Sequence, residues 1–136
     1  MLRAPENHFV LRNRRHDVAI ATRLQAAFDS ASRRQGLLGR SVFDEGAALI
    51  IAPCSAIHTF FMQMTIDVMF VSRDGEILKT CSSVAPWRIA IAPRAFAAIE
   101  LPAGALARSD TRRGDRIFLA GSPPRPRPFS GSDQIT

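Results

Sequence analysis

Tyrosine is absent from this 136-residue chain, and tryptophan occurs once, at Trp87. Lysine also occurs once, at Lys79, so the positive charge is carried by arginine. With no tyrosine and no aromatic next to Trp87, the sequence shows no stacking platform for single strands and no recognition-helix pattern. Arg12, Arg14 and Arg15 lie near the N-terminus, Arg125 and Arg127 near the C-terminus, and Arg33–Arg34 and Arg112–Arg113 form pairs. The formal charge of +6 is therefore read as a generally basic surface, and nucleic acid is not the expected partner. Cys54 and Cys81 are the two cysteines, and neither belongs to a CxxC pair. They make no disulfide framework and supply no structural zinc spacing. No apolar h-region follows the N-terminal arginines, and no run approaches the roughly 18 apolar residues of a spanning helix. The expected location is cytoplasmic, or the cell envelope had a leader been removed.

The hydrophobic fraction, 46%, is enough for one core, and the length leaves no room for two. Residues 1–17 are read as a partly ordered N-terminal extension, 18–120 as a single domain, and 121–136 as a disordered tail rich in proline, arginine and serine. Strands are expected at His8–Arg12, Val18–Ala21, Ala47–Ala52, Ala95–Leu101 and Arg116–Ala120. Thr22 with Gln25 suggests a capping box, Leu24, Ala27, Phe28 and Ala31 recur at helical spacing, and Gly36 suits a C-terminal cap. Together they predict a helix over Arg23–Gln35. A short helical turn is expected at Ala105–Ser109, and Pro86 to Pro93 reads as irregular. Ile57–Val71 is extended, and Asp74-Gly75 predicts a two-residue hairpin into Glu76–Ser83. That register pairs Arg73 with Glu76, Val71 with Leu78, Met69 with Thr80, and Val68 with Cys81. It makes Cys81 a buried, inert thiol and asks Lys79 for an edge position or a snorkelling stem. The fold class that fits is mainly β: a compact β-sandwich or partly open barrel of about six strands, with one helix packed at an end.

Gln35–Arg40, Pro53–Met62 running into Ile66–Val71, Glu100–Gly104 and Gly114–Arg116 occur in an order that resembles domain-of-unknown-function family 192. The resemblance spans about Val18 to Leu119. It implies a small, mainly β fold found in bacteria and archaea, often behind a leader peptide, and no established activity. Phe61 stands where related sequences often place a small residue or tryptophan, so a pocket there would be shaped differently.

His58 is the leading polar candidate. In an unbroken strand from Ile57 to Val71, His58 points away from Asp67; a break near Met64-Thr65 brings both to one side. Only the second geometry allows a carboxylate to orient the imidazole. The ordinary alternative is a histidine satisfying backbone groups at a strand end. Asp67, on a face with Met69 and Val71, is read chiefly as an anchor with Arg88 or Arg94 as donor. Glu100 interrupts Ile99 and Leu101, on a side with Ala98 and Phe96. Were His58, Asp67 and Glu100 to converge they would make a His–carboxylate metal set; no metal is assigned, and cofactors are unknown. A Cys54–His58 pair would need a helix that Pro53 opposes. Asp115 reads as a turn residue. Trp87, between Pro86 and Arg88, walls a pocket or stacks on Arg88, with core packing as the default. The favoured function is a non-catalytic binding or accessory module for a small or peptide-like ligand near His58, Asp67, Trp87, Arg88 and Glu100. The alternatives are a small hydrolase or metal-assisted enzyme using His58 with Asp67 or Glu100, and nucleic-acid or acidic-partner binding through arginine.

Overall fold

The computed structural model describes residues 9–27 and 43–121. Ten strands and one short helix make up these residues: β1 (Phe9–Asn13), β2 (Val18–Ala21), β3 (Arg23–Ala27), β4 (Ala47–Ile51), β5 (Ala56–His58), β6 (Ile66–Val71), β7 (Ile77–Val84), β8 (Ile89–Ile91), β9 (Ala97–Pro102), α1 (Ala105–Arg108) and β10 (Ile117–Gly121). A five-stranded sheet, in the order β3-β4-β9-β6-β7, is the centre. A three-stranded sheet, β10-β1-β2, and a two-stranded one, β5-β8, accompany it. The architecture is mainly β, without a closed barrel.

All six residues of β6 and all six of β9 are buried. Each is apolar but for one carboxylate, Asp67 in β6 and Glu100 in β9, because both faces of the central sheet are covered and the usual polar–apolar alternation is lost. On one face Met69, Val71, Ile99 and Leu101 pack with Leu11, Ile20 and Ala21 of the three-stranded sheet. On the other, Val68, Phe70 and Ala98 pack with Ile57 and Ala90 of the β5–β8 pair. Full burial of a side chain such as Phe70 contributes about 2–3 kcal/mol, so these two strands dominate the core.

The helix expected over Arg23–Gln35 is not formed in its described part. Arg23–Ala27 is instead β3, paired in parallel with Ala47–Ile51. The helical spacing misled because Leu24 and Ala27 are both apolar yet serve opposite faces: Leu24 packs on one core cluster and Ala27 on the other. Thr22 caps nothing, since its own N–H and that of Arg23 donate to the Gly46 carbonyl at 2.8 and 3.0 Å. The rest of that segment, and the expected tail beyond Gly121, lie outside the described residues. Ile89–Ile91, read as irregular, is β8, paired with β5. β1, within the expected N-terminal extension, is the middle strand of its sheet.

The β6–β7 hairpin keeps the expected pairs Met69↔Thr80 and Val68↔Cys81 but not Val71↔Leu78 or Arg73↔Glu76. Ser72 donates its N–H to the Glu76 carbonyl at 2.9 Å, leaving a three-residue loop of Arg73, Asp74 and Gly75. Val71 then pairs with Ile77, and a bulge between Phe70 and Val71 restores the register further along. The longer loop and the extra residue cancel. Gly75, at φ +89°, is where this turn requires glycine.

A polar cluster ties the N-terminal strands to the last turn. Asp115 accepts from Asn13 Nδ2 at 2.8 Å, Arg15 Nε at 2.7 Å and the Arg112 N–H at 3.0 Å. Burial alone would raise its pKa; the bonds from Arg15, Asn13 and Arg112 outweigh it and hold the carboxyl well below the usual range. No helix among the described residues is long and apolar enough to cross a membrane.

A Cβ on Gly75 would sit 2.4 Å from the Ile117 carbonyl oxygen. Gly75→Ala is expected to lower stability by at least about 2 kcal/mol, read from the urea midpoint at unchanged m-value. A loss below about 1 kcal/mol would contradict this account of the turn.

Candidate functional site

The chain breaks between β5 and β6, which is the geometry that would have let His58 and Asp67 meet. They do not meet. His58 ends β5 opposite Ile89, on the two-stranded sheet, and is exposed. Its Nδ1 accepts the Phe60 N–H at 3.3 Å, and it forms no ion pair with a carboxylate among the described residues. Asp67 lies on β6, one strand in from the edge of the central sheet, and is 1% exposed.

The donors to Asp67 are neither Arg88 nor Arg94. They are three backbone N–H groups: Ser83 to Oδ1 at 2.9 Å, and Gly104 and Leu106 to Oδ2 at 3.1 and 3.0 Å. The carboxylate thus fixes the end of β7, the turn after β9 and the start of α1. Its lone pairs are spent on the fold. Glu100 pairs with Val68, whereas Asp67 pairs with Leu101, so the two carboxylates project from opposite faces of one sheet. Glu100 shares its face with Ala98, but Phe96 packs on the other cluster. With His58 on a separate sheet, the three residues do not converge, and no metal-capable group of three occurs among the described residues.

Glu100 is 5% exposed and burial pushes its carboxyl up to about 7 from an ordinary 4.5. It stands opposite Leu49 on β4 and Val68 on β6, and this burial favours its neutral form. Cys81 is half-buried rather than buried, and Cys54 Sγ donates to the Ala56 carbonyl. Lys79, on edge strand β7, is exposed and donates Nζ to the Ile91 carbonyl at 2.9 Å. Asp115 turns the chain toward β10 and anchors it, as described above.

The exposed feature is aromatic. Trp87 is not core: it is 56% exposed, and Phe61 is 67% exposed. Trp87 stacks on Phe60 at 5.5 Å and meets Phe61 edge-on at 4.8 Å, and Phe60 lies 4.8 Å from the His58 ring. Phe61 and Trp87 both sit at φ +66°, which costs a non-glycine residue about 1 kcal/mol or more. Buried Thr59 holds this arrangement. Its carbonyl accepts from Trp87 and Met62, its N–H donates to the Arg88 carbonyl, and its Oγ1 donates to Ala85 and accepts from the Arg88 N–H. Arg88 itself reaches back to the Trp87 carbonyl at 3.3 Å. Ile89 and Ile91, 61% and 51% exposed, continue the apolar surface along β8. The sequence hides this cluster because Phe60 and Phe61 are distant in the chain from Trp87, and Thr59 has no motif around it. Phe-Phe after a short strand was the available signal.

A mainly β domain with an outward aromatic cluster and carboxylates committed to its interior is what the geometry defines. The chain belongs to the DUF192 family, described as uncharacterized ACR, whose model matches residues 11–119. Among curated proteins none matches it. A crystal structure of a proposed transcription regulator from Sinorhizobium meliloti 1021 superposes with a TM-score of 0.69 at 22% identity, over 85% of this chain and 92% of that one. A protein of unknown function from Novosphingobium aromaticivorans DSM 12444 gives 0.70 at 18% identity, over 82% and 83%. These likenesses are of fold.

Asp67→Ala strands three buried or half-buried donors and is expected to lose about 3–5 kcal/mol in denaturant unfolding, against less than about 1 kcal/mol for His58→Ala. Comparable losses for the two would overturn the division between anchor and surface. Because the Glu100 pKa is raised on folding, its contribution is fully present below pH 4.5 and lost as pH rises through about 7. The span sets an upper bound of about 3 kcal/mol. Wild type is expected to lose stability over that window relative to Glu100→Gln; parallel pH profiles would contradict a neutral buried carboxyl.

Proposed function

We propose that this domain is a non-catalytic binding module for peptide-like ligands, with Phe61, Trp87, Ile89 and the aliphatic stem of Arg88 as its contact surface. One observation carries the reading: two large aromatic side chains are held out in solvent on backbone that only glycine adopts freely. A strained, exposed position kept by a buried threonine has no benefit for folding, and strain of this kind gathers where ligands are held. Trp and Arg are also the residue types that dominate binding hot spots, and Phe61 offers a large anchor beside them.

The ring geometry favours peptide side chains over stacked bases. Phe60 and the His58 ring lie against each other, and Phe60 and Trp87 occupy one another's faces. Trp87 already has one face against Phe60, and the exposed Phe61 and Ile89 beside it suit an apolar side chain. A hydrolytic reading is not favoured, because His58 has no carboxylate partner among the described residues and Asp67 is engaged by backbone donors.

Phe61→Gly relieves the positive φ and separates the two roles. Stability is expected to stay level or rise by about 1 kcal/mol, because the ring is exposed and the strain is removed. Peptides selected from a random heptapeptide library on the wild-type protein are expected to carry an apolar anchor and to shift the emission of Trp87, the only tryptophan. Their affinity is expected to fall about tenfold for Phe61→Gly. Unchanged affinity with unmoved emission would contradict the assignment, as would a stability loss above about 1 kcal/mol, which would make the rings part of the core.

A further inference from the structure

β7 is the edge strand of the central sheet and, at eight residues, its longest member. Its first residues are already partnered on the outer side. Ile77 exchanges backbone bonds with Asp115 and Gly114 at 2.8 and 2.9 Å, and Glu76 bridges to Arg116. Beyond that point no described strand pairs with the outer edge of β7. The edge runs along a cleft of about 660 Å³ whose other walls include Ile91, Pro93, Arg94 and Arg113. That volume lies in the range of ligand sites.

The cleft is cationic. Lys79, Arg94 and Arg113 line it against one carboxylate, Glu76. All three cations are exposed, and Lys79 is positioned by its bond to the Ile91 carbonyl. Neither Arg94 nor Arg113 makes a hydrogen bond or ion pair among the described residues. Ile91 belongs both to this cleft and to the exposed row that starts at Trp87. An edge lysine and a bulge at the start of β7 also discourage pairing with apolar strands of other molecules. The same lysine rewards a strand that brings carboxylates, so selectivity and protection come from one residue.

We propose that an extended acidic peptide adds as a strand to the outer edge of β7, with its carboxylates on Lys79, Arg94 and Arg113 and an apolar residue toward Ile91. The proposal rests on the peptide-binding reading and names the chemistry of the partner. Main-chain bonds supply sequence-independent affinity in such strand addition, and the alternating side chains select.

The test is fluorescence anisotropy of a labelled Glu-Val-Glu-Val-Glu-Val-Glu peptide against the full chain. Expected is saturable binding that weakens at least about tenfold on N-methylation of alternate residues, which removes one edge of donors. The doubly charge-reversed Arg94→Glu/Arg113→Glu protein is expected to lose at least about tenfold too, and about 0.5 M salt should weaken the wild-type complex. Both arginines are exposed and unbonded among the described residues, so the variant is expected to fold, checked by its denaturation midpoint. Equal binding of the N-methylated peptide overturns strand addition. Equal binding of the lysine counterpart, or of the acidic peptide to the charge-reversed protein, overturns the charge assignment. Competition by oligo-dT at lower concentration than the peptide assigns the cleft to nucleic acid instead. If library-selected apolar peptides bind but the acidic one does not, this proposal alone fails. If neither binds, the peptide-binding reading fails with it.

Discussion

The Asp67 carboxylate is the interaction on which the rest of this structure depends. It sits on a fully buried strand of the central sheet and accepts three backbone N–H groups, one from the end of β7 and two from the turn into α1. A buried carboxyl is tolerable only when its oxygens are hydrogen-bonded, and here the partners are main chain rather than flexible side chains. It therefore fixes where β7 ends, where α1 begins and how β9 turns. With β7 ended by this anchor, the chain passes through Ala85 and Pro86 to Trp87 at the surface, where Thr59 secures it.

Polar residues inside an apolar pattern invite a catalytic reading, and in this fold they are spent otherwise. Asp67 and Asp115 each neutralise backbone or arginine donors that would be stranded without them. Burial raises the Glu100 carboxyl to about 7. His58 is left at the rim of an aromatic cluster. What faces outward around Trp87, β8 and the β7 edge is mostly apolar or cationic.

Much of the sheet was legible because β4, β6 and β9 are long apolar runs bounded by Pro, Gly and Asp. The hairpin register was legible beyond its turn, since a three-residue loop and a bulge offset each other at Gly75 and Leu78. β3 was not, because Leu24 and Ala27 mimic a helical stripe while serving two separate cores. β8 was hidden by its flanking prolines and its length of three residues. Trp87 and Arg88 were legible as candidates, but the exposure of Trp87 was not: burial is a property of the assembled sheets. The cluster with Phe60 and Phe61, and its dependence on Thr59, is a contact made across the fold, and single-sequence patterns carry no record of such contacts.

The proposed ligand contact runs along the surface of β7 and β8, not through a His58–Asp67–Glu100 centre. Amide chemical-shift mapping during titration of the full chain with the alternating acidic peptide tests it most directly. The account predicts perturbations along the outer edge of β7, at Ile91 and Arg94, and at the Trp87 indole, with the Ser83, Gly104 and Leu106 amides bound to Asp67 unmoved. Perturbations centred on those three amides and on Glu100, with β7 from Lys79 onward silent, would contradict it.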